Sequence, residues 1–161
     1  MVTVERLKEV LSYNPETGEF RWSPVPRKGV RSGQPAGNIT TDGNGLRIRI
    51  DRIAYKAHRL AWLYVHGRWP SIQIDHINGN PYDNRLVNLR EATPSQNQGN
   101  QRKRVDSTSG RKGVARSSAK QERWRAHFRG RYLGSFETKE DAHAAYQRAA
   151  AEHFGEFARY E

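Results

Sequence analysis

The sequence predicts an α+β fold divided between two small domains. Residues 72–97 show the order strand, loop, strand, helix, whereas residues 113–157 show three strands followed by one helix. A polar, basic segment at 101–110 without apolar periodicity lies between them. In a chain of 161 residues, two small cores are favoured over one large core. We therefore predict a first domain at 1–100, a linker at 101–110 and a second domain at 111–161.

The first domain is predicted to begin with a helix and a short strand, followed later by a second helix. Apolar residues recur at helical spacing over 4–11, and a turn signal at 14–18 leads to a strand at 19–22. Residues 55–66 place apolar side chains on one helical face, and Gly67 is typical of the position that ends a helix.

Residues 46–50 lie between these two helices and alternate apolar side chains with Arg47 and Arg49. Such alternation predicts a strand with one buried face and one open face. The open face would be cationic, which makes both arginines candidate contacts to nucleic acid.

The segment from residue 72 onwards is predicted to fold back on itself. Residues 72–77 alternate as a strand, Asn-Gly-Asn-Pro at 78–81 is a turn signal, and a second strand is expected at 87–90. The sequence Thr-Pro-Ser-Gln at 93–96 has the cap, the proline and the glutamine of a helix start. Asn97 is then expected in the first turn of that helix or just after it.

The charge of the chain indicates a polyanionic partner. Lys and Arg number 28 against 17 Asp and Glu, which gives a formal net charge of +11, and 21 of the 28 cations are arginine. The excess is concentrated in 101–135, which hold 11 basic and 2 acidic residues. Because the flat guanidinium donates in a fork to phosphates and guanine edges, this composition favours contact with nucleic acid.

The sequence also limits the chemistry and the compartment. It contains no cysteine, which excludes disulfides and thiolate zinc sites, so any metal must be held by histidine nitrogen or by oxygen ligands. No apolar stretch approaches 20 residues. We expect a soluble, intracellular protein without a membrane partner.

Three polar residues of the folded-back segment could hydrolyse a phosphodiester. This reaction requires a base for the attacking water and a positive charge beside the phosphate. Neutral His76 can take the proton near pH 7, and the Asp75 carboxylate with the Asn97 amide oxygen can hold one hard cation. Because the metal ligands offered are oxygens, Mg²⁺ or Mn²⁺ fits better than zinc. Taken singly, an Asp-His pair is more often structural, and Asn-Gly-Asn is more often only a turn.

The order of these residues resembles that of phage-type homing endonucleases with the HNH motif, also called the ββα-metal fold. The residues that carry the resemblance are Asp75-His76-Ile77-Asn78-Gly79-Asn80, Asp83-Asn84-Arg85, Asn88-Leu89-Arg90, Asn97 and Asn100, with further likeness at 13–22 and 58–62. The family implies a metal-dependent DNA endonuclease of the homing type with one divalent ion, in a phage-infected bacterial cell. Because the chain has a single Asp75-His76-Asn97 site and two unlike DNA-binding modules, we expect it to nick one strand.

The resemblance also implies roles for single residues. Asn88 takes the middle position of the motif, which orients the general base His76. Asn97 stands where the motif name places a final histidine, as in phage homing members. Asn100, one helical turn further on, is either an additional ligand or a polar cap. His58 is either packed against the fold or directed at a phosphate, and packing is the more common case.

The C-terminal pattern predicts a sheet with one cationic face. In the central strand, Trp124, Ala126 and Phe128 should face a helix that begins after Thr138, while Arg125, His127 and Arg129 face outward. Such a face can enter the major groove of DNA. The alternative is a solvated basic face with no partner.

This segment resembles the DNA-binding domain of plant apetala/ethylene-response factors. The resemblance is carried by Gly113-Val114, Trp124 to Arg129, Leu133 to Phe136, and the helix with Glu140-Asp141-Ala142 and Tyr146 to Ala150. The family's first strand reads bases with arginines, but here Ala115 and Ser117 take the outward positions. Base readout would then be either weak or confined to Arg125, Arg129 and Arg131.

Two functions from different classes follow. The first is a monomeric endonuclease acting on double-stranded DNA without a protein partner, and the second is a DNA-binding regulator in which the HNH-like part is only a scaffold; RNA cleavage is more remote. The candidate DNA contacts are Arg47, Arg49, Arg102, Lys103, Arg104, Lys112, Arg125, His127, Arg129 and Arg131.

Overall fold

A computed structural model describes residues 1–24, 31–40, 43, 45–101, 109–117 and 123–160. The mixed α+β class is confirmed. The helices are α1 (Val4–Val10), α2 (Ala57–His66), α3 (Pro94–Gly99) and α4 (Lys139–Phe154). The strands are β1 (Leu11–Tyr13), β2 (Phe20–Trp22), β3 (Asn38–Ile39), β4 (Leu46–Ile50), β5 (Ile53–Lys56), β6 (Gln73–His76), β7 (Leu89–Ala92), β8 (Val114–Arg116), β9 (Trp124–Phe128) and β10 (Arg131–Phe136). The chain forms two compact units, Met1–Thr93 and Pro94–Glu161.

The first unit contains three small antiparallel sheets, β1-β2, β3-β4-β5 and β6-β7. They share an apolar core with α1 and α2, whose fully buried side chains include Leu7, Leu11, Ile48, Ile50 and Leu60. Leu11, which continues the helical spacing of α1, begins β1 instead of ending the helix.

The central strand β4 has the predicted alternation. Ile48 and Ile50 are fully buried, whereas Arg47 and Arg49 are exposed. The helix predicted at 55–66 starts later, at Ala57, because the preceding residues pair with β4 as β5. The end of this helix is as predicted, since Gly67 adopts a left-handed φ of 68°.

The strands β6 and β7 form the hairpin that carries the predicted Asp-His pair. Their register places Asp75 opposite Arg90 and His76 opposite Leu89. The second strand begins at Leu89 and not at residue 87, because Leu86–Asn88 form a turn of 3₁₀-helix first. The prediction that Asn88 lies on this strand was therefore wrong by one residue.

The second unit has the predicted three strands and a helix. Its sheet has the antiparallel order β10-β9-β8 and packs on α4. The Thr138 hydroxyl caps α4 by accepting from the backbone N–H of Asp141. Ala126 and Ala142 have no exposed surface, which is consistent with helix and sheet meeting closely at small side chains. No described helix in either unit is long and apolar enough to cross a membrane.

The helix α3 belongs to the second unit, although the sequence assigned it to the first domain. Its last residue, Gly99, packs so closely on Phe154 that an added Cβ would lie 2.7 Å from the ring. The predicted boundaries at residues 100 and 110 stay predictions, since most of the proposed linker lies outside the described residues.

Glu91 on β7 ties the hairpin to the loop after α2. Its carboxylate accepts from two guanidinium nitrogens of Arg68, at 3.2 and 3.1 Å, and from the backbone N–H of Ser71 at 2.7 Å. These bonds, with Arg68 the main cause, lower the pKa of Glu91 to about 2. Its contribution to stability is thus present above the unfolded pKa of about 4.3 and is lost as the pH falls through about 2.

We expect Glu91→Gln to melt at a lower temperature than the parent protein at pH 7. The difference between the two melting temperatures should shrink as the pH falls from about 4.3 to about 2, because the parent carboxylate then becomes neutral too. Thermal unfolding followed by circular dichroism at several pH values in this range measures the difference in melting temperature. A difference that stays constant with pH would contradict the assignment.

Candidate functional site

Asp75 is a buried carboxylate near the end of β6. Only 3% of its surface is exposed, and its Oδ2 accepts from Nε of Arg90 at 3.0 Å. The two residues are direct cross-strand neighbours in the hairpin. Since a buried charge is costly without a partner, Arg90 accounts for how an ionised Asp75 is maintained inside the fold.

His76 follows directly and is held between an amide and a second imidazole. Its Nε2 lies 3.3 Å from Oδ1 of Asn84, and the ring of His58 meets its ring nearly at right angles, with centroids 4.9 Å apart. Burial lowers the pKa of His76, while the Asn84 bond and the nearby carboxylate of Asp75 oppose the change. The imidazole is therefore mainly neutral at pH 7.

His58 lies on α2 as a packed side chain, which is the more common of its two expected roles. It is half-buried and its ring contacts His76. Burial lowers the pKa of His58 to about 3, helped by the neighbouring His76 and by Lys56. His58 is uncharged at neutral pH and does not offer a cation to phosphate.

Asn88 fixes the loop between β6 and β7. Its Nδ2 donates to Oδ1 of Asn78 at 3.1 Å and to the carbonyl of Asp83 at 2.8 Å, while its Oδ1 accepts from the backbone N–H of Asn78 at 2.9 Å. Its own carbonyl accepts from the N–H of Ile77, next to His76. All side-chain bonds of Asn88 thus go to the loop, and any orienting effect on His76 passes through the backbone.

Asn84, which sequence reasoning did not single out, is another residue whose side chain meets the imidazole of His76. It is 2% exposed, and its carbonyl accepts from the hydroxyl of Tyr13 at 2.7 Å. Gly18 also comes so close that an added Cβ would lie 2.6 Å from the carbonyl carbon of Asn84. The sequence did contain a signal for Asn84, because it lies in the Asp-Asn-Arg segment of the motif. Its contacts Tyr13 and Gly18 lie in the segment 13–22, which resembles the same family.

An ion pair stabilises the exposed side of this loop. Arg85 donates to both carboxylate oxygens of Asp83, at 2.8 and 2.6 Å, and the Asn78 amide donates to the same group at 2.7 Å. Arg85 first, and Asn78 after it, lower the pKa of Asp83 to about 2. Asp83 is therefore a structural anion of the loop.

The other predicted ligand, Asn97, is half-buried on α3 in the second unit, whereas Asp75 lies in the first. Asn100 is 6% exposed and its backbone N–H continues the helical bonding to Gln96. Among the residues that the structure describes, no group of three or more His, Cys, Asp or Glu could hold a metal. A single carboxylate with amide oxygens suits Mg²⁺ or Mn²⁺, which keep several waters, and does not suit a tight zinc site.

The open face of β4 is cationic, as predicted. Arg47 lies opposite Lys56 on β5, so two like charges face each other across the strands, and Arg49 lies on the same face. Directly opposed like charges destabilise a sheet. The charge of Lys56 also lowers the pKa of both His58 and His76.

The sheet of the second unit has an open face that matches the prediction in part. Arg125 is exposed and is paired across the sheet with Ala115 and Ser135, while His127 packs against the ring of Tyr132 at 5.3 Å. Ala115 therefore occupies an outward position on the first strand of this sheet, as expected.

Arg131 and Arg129 lie at either side of the turn between β9 and β10. Arg131 is exposed at the start of β10. Arg129 does not face outward with Arg125, because it takes a left-handed φ of 51° just after β9 and turns to the other side. There its Nη1 donates to Oγ of Ser95 at 2.9 Å and lies 2.7 Å from Nε2 of His153. The prediction of an outward Arg129 was wrong.

Lys112 is also used by the fold. Its ammonium donates to the carbonyls of Gly99, Gln101 and Arg159, at 2.9, 2.6 and 3.2 Å, and burial lowers the pKa of Lys112. These three bonds use all the protons of the ammonium, which does not fit the predicted contact with DNA. The candidate contacts Arg102, Lys103 and Arg104 lie outside the described residues.

Comparison with known proteins supports a nuclease-like segment. Residues 55–98 match the model of the HNH endonuclease family. The chain is 41% identical over 75 residues to Protein 3.8 of Escherichia phage T7, covering 44% of this chain and 61% of that protein. It is 34% identical over 119 residues to an uncharacterized HNH endonuclease of Acanthamoeba polyphaga mimivirus, covering 71% of this chain and 62% of that protein.

The chain spans about three fifths of the length of these two relatives. No solved structure matches it. The matched segment 55–98 runs from the end of β5 into α3 and so includes Asp75, His76, Asn88 and Asn97.

We expect Asn88→Ala to lower the free energy of unfolding by about 1–3 kcal/mol, because it leaves buried loop groups without their hydrogen bonds. Chemical denaturation measures the change. Asn80→Ala is the matched control, since Asn80 lies exposed in the same loop and accepts one bond from the N–H of Tyr82. An equal loss of unfolding free energy in the two variants would contradict the inference that Asn88 holds the loop between β6 and β7.

Proposed function

We propose that this chain is a metal-dependent endonuclease of the homing type that hydrolyses phosphodiester bonds in duplex DNA. The observation that carries the proposal is the buried pair Asp75-His76 at the end of β6, inside the segment that matches the HNH endonuclease family. The likeness to a phage protein favours action in the cytoplasm of a phage-infected bacterial host.

The hydrogen bond with Asn84 favours one tautomer of His76. The Asn84 amide nitrogen is directed at the carbonyl of Tyr82, 3.4 Å away, so the amide oxygen faces the imidazole. Because a carbonyl-type oxygen only accepts, this contact favours the hydrogen of the neutral ring on Nε2. A neutral imidazole is a group that can accept a proton from water.

The reaction uses the neutral imidazole as the base. A water molecule gives one proton to His76 while its oxygen forms a bond to phosphorus, and the bond from phosphorus to the 3′ oxygen breaks. Asp75 and Asn97 would hold one Mg²⁺ or Mn²⁺ through a carboxylate and an amide oxygen. With the ion bound, the phosphate charge is offset and the departing oxygen is stabilised.

Two surfaces would bind the DNA. In the first unit, Arg47 and Arg49 lie on the cationic face of β4. In the second unit, Arg125, His127 and Arg131 lie on or beside the open sheet face. The sequence of this segment resembles that of apetala/ethylene-response factors, which supports the proposal that this face contacts DNA. Arginine side chains on a sheet can contact phosphates and guanine edges.

We further propose that the protein acts as a monomer and nicks one strand. The chain has a single Asp75-His76 pair, and its two unlike candidate DNA surfaces fit an asymmetric target. Symmetric double-strand cutters place two active sites by dimerisation.

Incubation of supercoiled plasmid with the protein tests the proposal. With Mg²⁺ or Mn²⁺ we expect open circular product that accumulates without conversion to linear DNA, and without a divalent ion we expect no product. A regulator with an inactive HNH-like scaffold would bind the plasmid and leave it supercoiled under all conditions. Linear product that appears early at low protein concentration would contradict nicking by a monomer.

His76→Ala separates catalysis from binding in the same assay. Loss of the general base should slow cleavage by about 10²-fold or more, while the dissociation constant for DNA stays nearly unchanged, because the base acts on the transition state. His66→Ala is the matched control, since His66 lies exposed in the last turn of α2. Parallel loss of binding and cleavage in His76→Ala would show a structural role for this residue.

The DNA contact of the second unit is tested through salt. Arg125→Ala should weaken DNA binding and reduce the slope of log affinity against log salt by about 1, because one phosphate contact and its released counterion are lost. Lys139→Ala removes a cation from the first turn of α4 and should leave the slope unaltered. If both variants keep the parental slope, Arg125 does not contact phosphate.

A further inference from the structure

The helix α3, which carries Asn97, packs on the end of α4 without space for a side chain at Gly99. A Cβ placed on Gly99 would lie 2.7 Å from Cγ of Phe154 and 2.9 Å from both neighbouring ring carbons. Phe154 is itself 9% exposed and packs edge-on against Phe128 of β9. The last turn of α3 thus rests on the core of the second unit.

The carbonyl end of α3 is held by a lysine from a later part of the chain. The Lys112 ammonium donates to the carbonyls of Gly99 and Gln101, and also to that of Arg159 near the C-terminus. The last carbonyls of a helix have no partner within the helix and are satisfied here by a cation. Lys112 therefore connects the end of α3 to the C-terminal segment.

The amino-terminal turn of α3 is held from a third direction. Oγ of Ser95 accepts from Nη1 of Arg129, and the same nitrogen lies 2.7 Å from Nε2 of His153 on α4. Arg129 reaches this position through the left-handed backbone of the turn between β9 and β10. Contacts from α4, from this turn and from Lys112 together surround α3.

From these contacts we propose that the second unit positions Asn97, the residue proposed above as a metal ligand, in addition to any contact it makes with DNA. A helix of six residues does not hold its shape alone, so its place depends on packing. Gly99, Phe154, Lys112 and Arg129 are then positioning residues that act through α3. This inference rests on the proposed metal-dependent function.

Gly99→Ala is the decisive variant, because alanine is a better helix former than glycine and harms α3 only through its contact with Phe154. The concentration of Mn²⁺ that gives half-maximal nicking should rise about tenfold, as expected when the support of a ligand is disturbed. Binding of Mn²⁺ to the free protein, measured by electron paramagnetic resonance, should weaken by a similar factor. The dissociation constant for plasmid DNA in Ca²⁺ should stay within about twofold of the parental value.

Two further variants control this result. Gln98→Ala changes an exposed neighbour on the same helix and should keep the parental Mn²⁺ dependence. The double variant Gly99→Ala with Phe154→Leu makes room for the added methyl group and should restore much of the parental Mn²⁺ affinity. Rescue of this kind is not expected from a general loss of stability.

A Gly99→Ala protein with parental Mn²⁺ affinity and parental half-maximal Mn²⁺ would overturn the inference while leaving the endonuclease intact. If the parent protein itself cleaves no DNA, the proposed function fails instead. Should Gly99→Ala lose its DNA affinity through unfolding, Lys112→Met against Lys139→Met carries the same test, because Lys139 lies on the first turn of α4 and holds none of the α3 carbonyls. Equal Mn²⁺ affinity in those two variants would likewise overturn the inference.

Discussion

The geometry around His76 depends on the hydrogen bonds of the Asn88 side-chain amide. It closes the loop between β6 and β7 by binding Asn78 and the carbonyl of Asp83, and it does so at a buried position. The same loop carries Asn84, whose side-chain oxygen lies against the imidazole and whose backbone carbonyl accepts from the hydroxyl of Tyr13. An asparagine suits this position because one planar amide can donate and accept at the same time.

Local patterns predicted those parts of the fold that are decided by local chemistry. The alternation at β4, the cap at Thr138 and the glycine after α2 each depend on neighbours in sequence, and each is present. The start of β7 and the direction of Arg129 were not predictable in this way. The first follows from a 3₁₀ turn held by hydrogen bonds within the loop, and the second from a non-glycine residue with a left-handed backbone.

The residues of the candidate site also differ in whether local sequence could predict their role. Asp75 and His76 could be singled out because their residue types alone indicate metal binding and proton transfer. Asn84 could not, because its importance lies in contacts with Tyr13 and Gly18 from a distant segment. Lys112 shows the opposite case. A lysine in a basic stretch predicts a contact with phosphate, but the Lys112 ammonium binds three backbone carbonyls. These carbonyls come together only in the folded chain, so the sequence could not indicate this role.

The opposed cations Arg47 and Lys56 have a consequence for how the folded state responds to its surroundings. The pair β4-β5 holds these two positive charges directly opposite each other, and like charges in this arrangement repel. Any polyanion that lies across this face relieves that repulsion and binds the folded chain in preference to the unfolded one. By mass action, DNA would then act as a folding ligand of the first unit, and the protein would be least stable in the low-salt solutions where its charges are least screened.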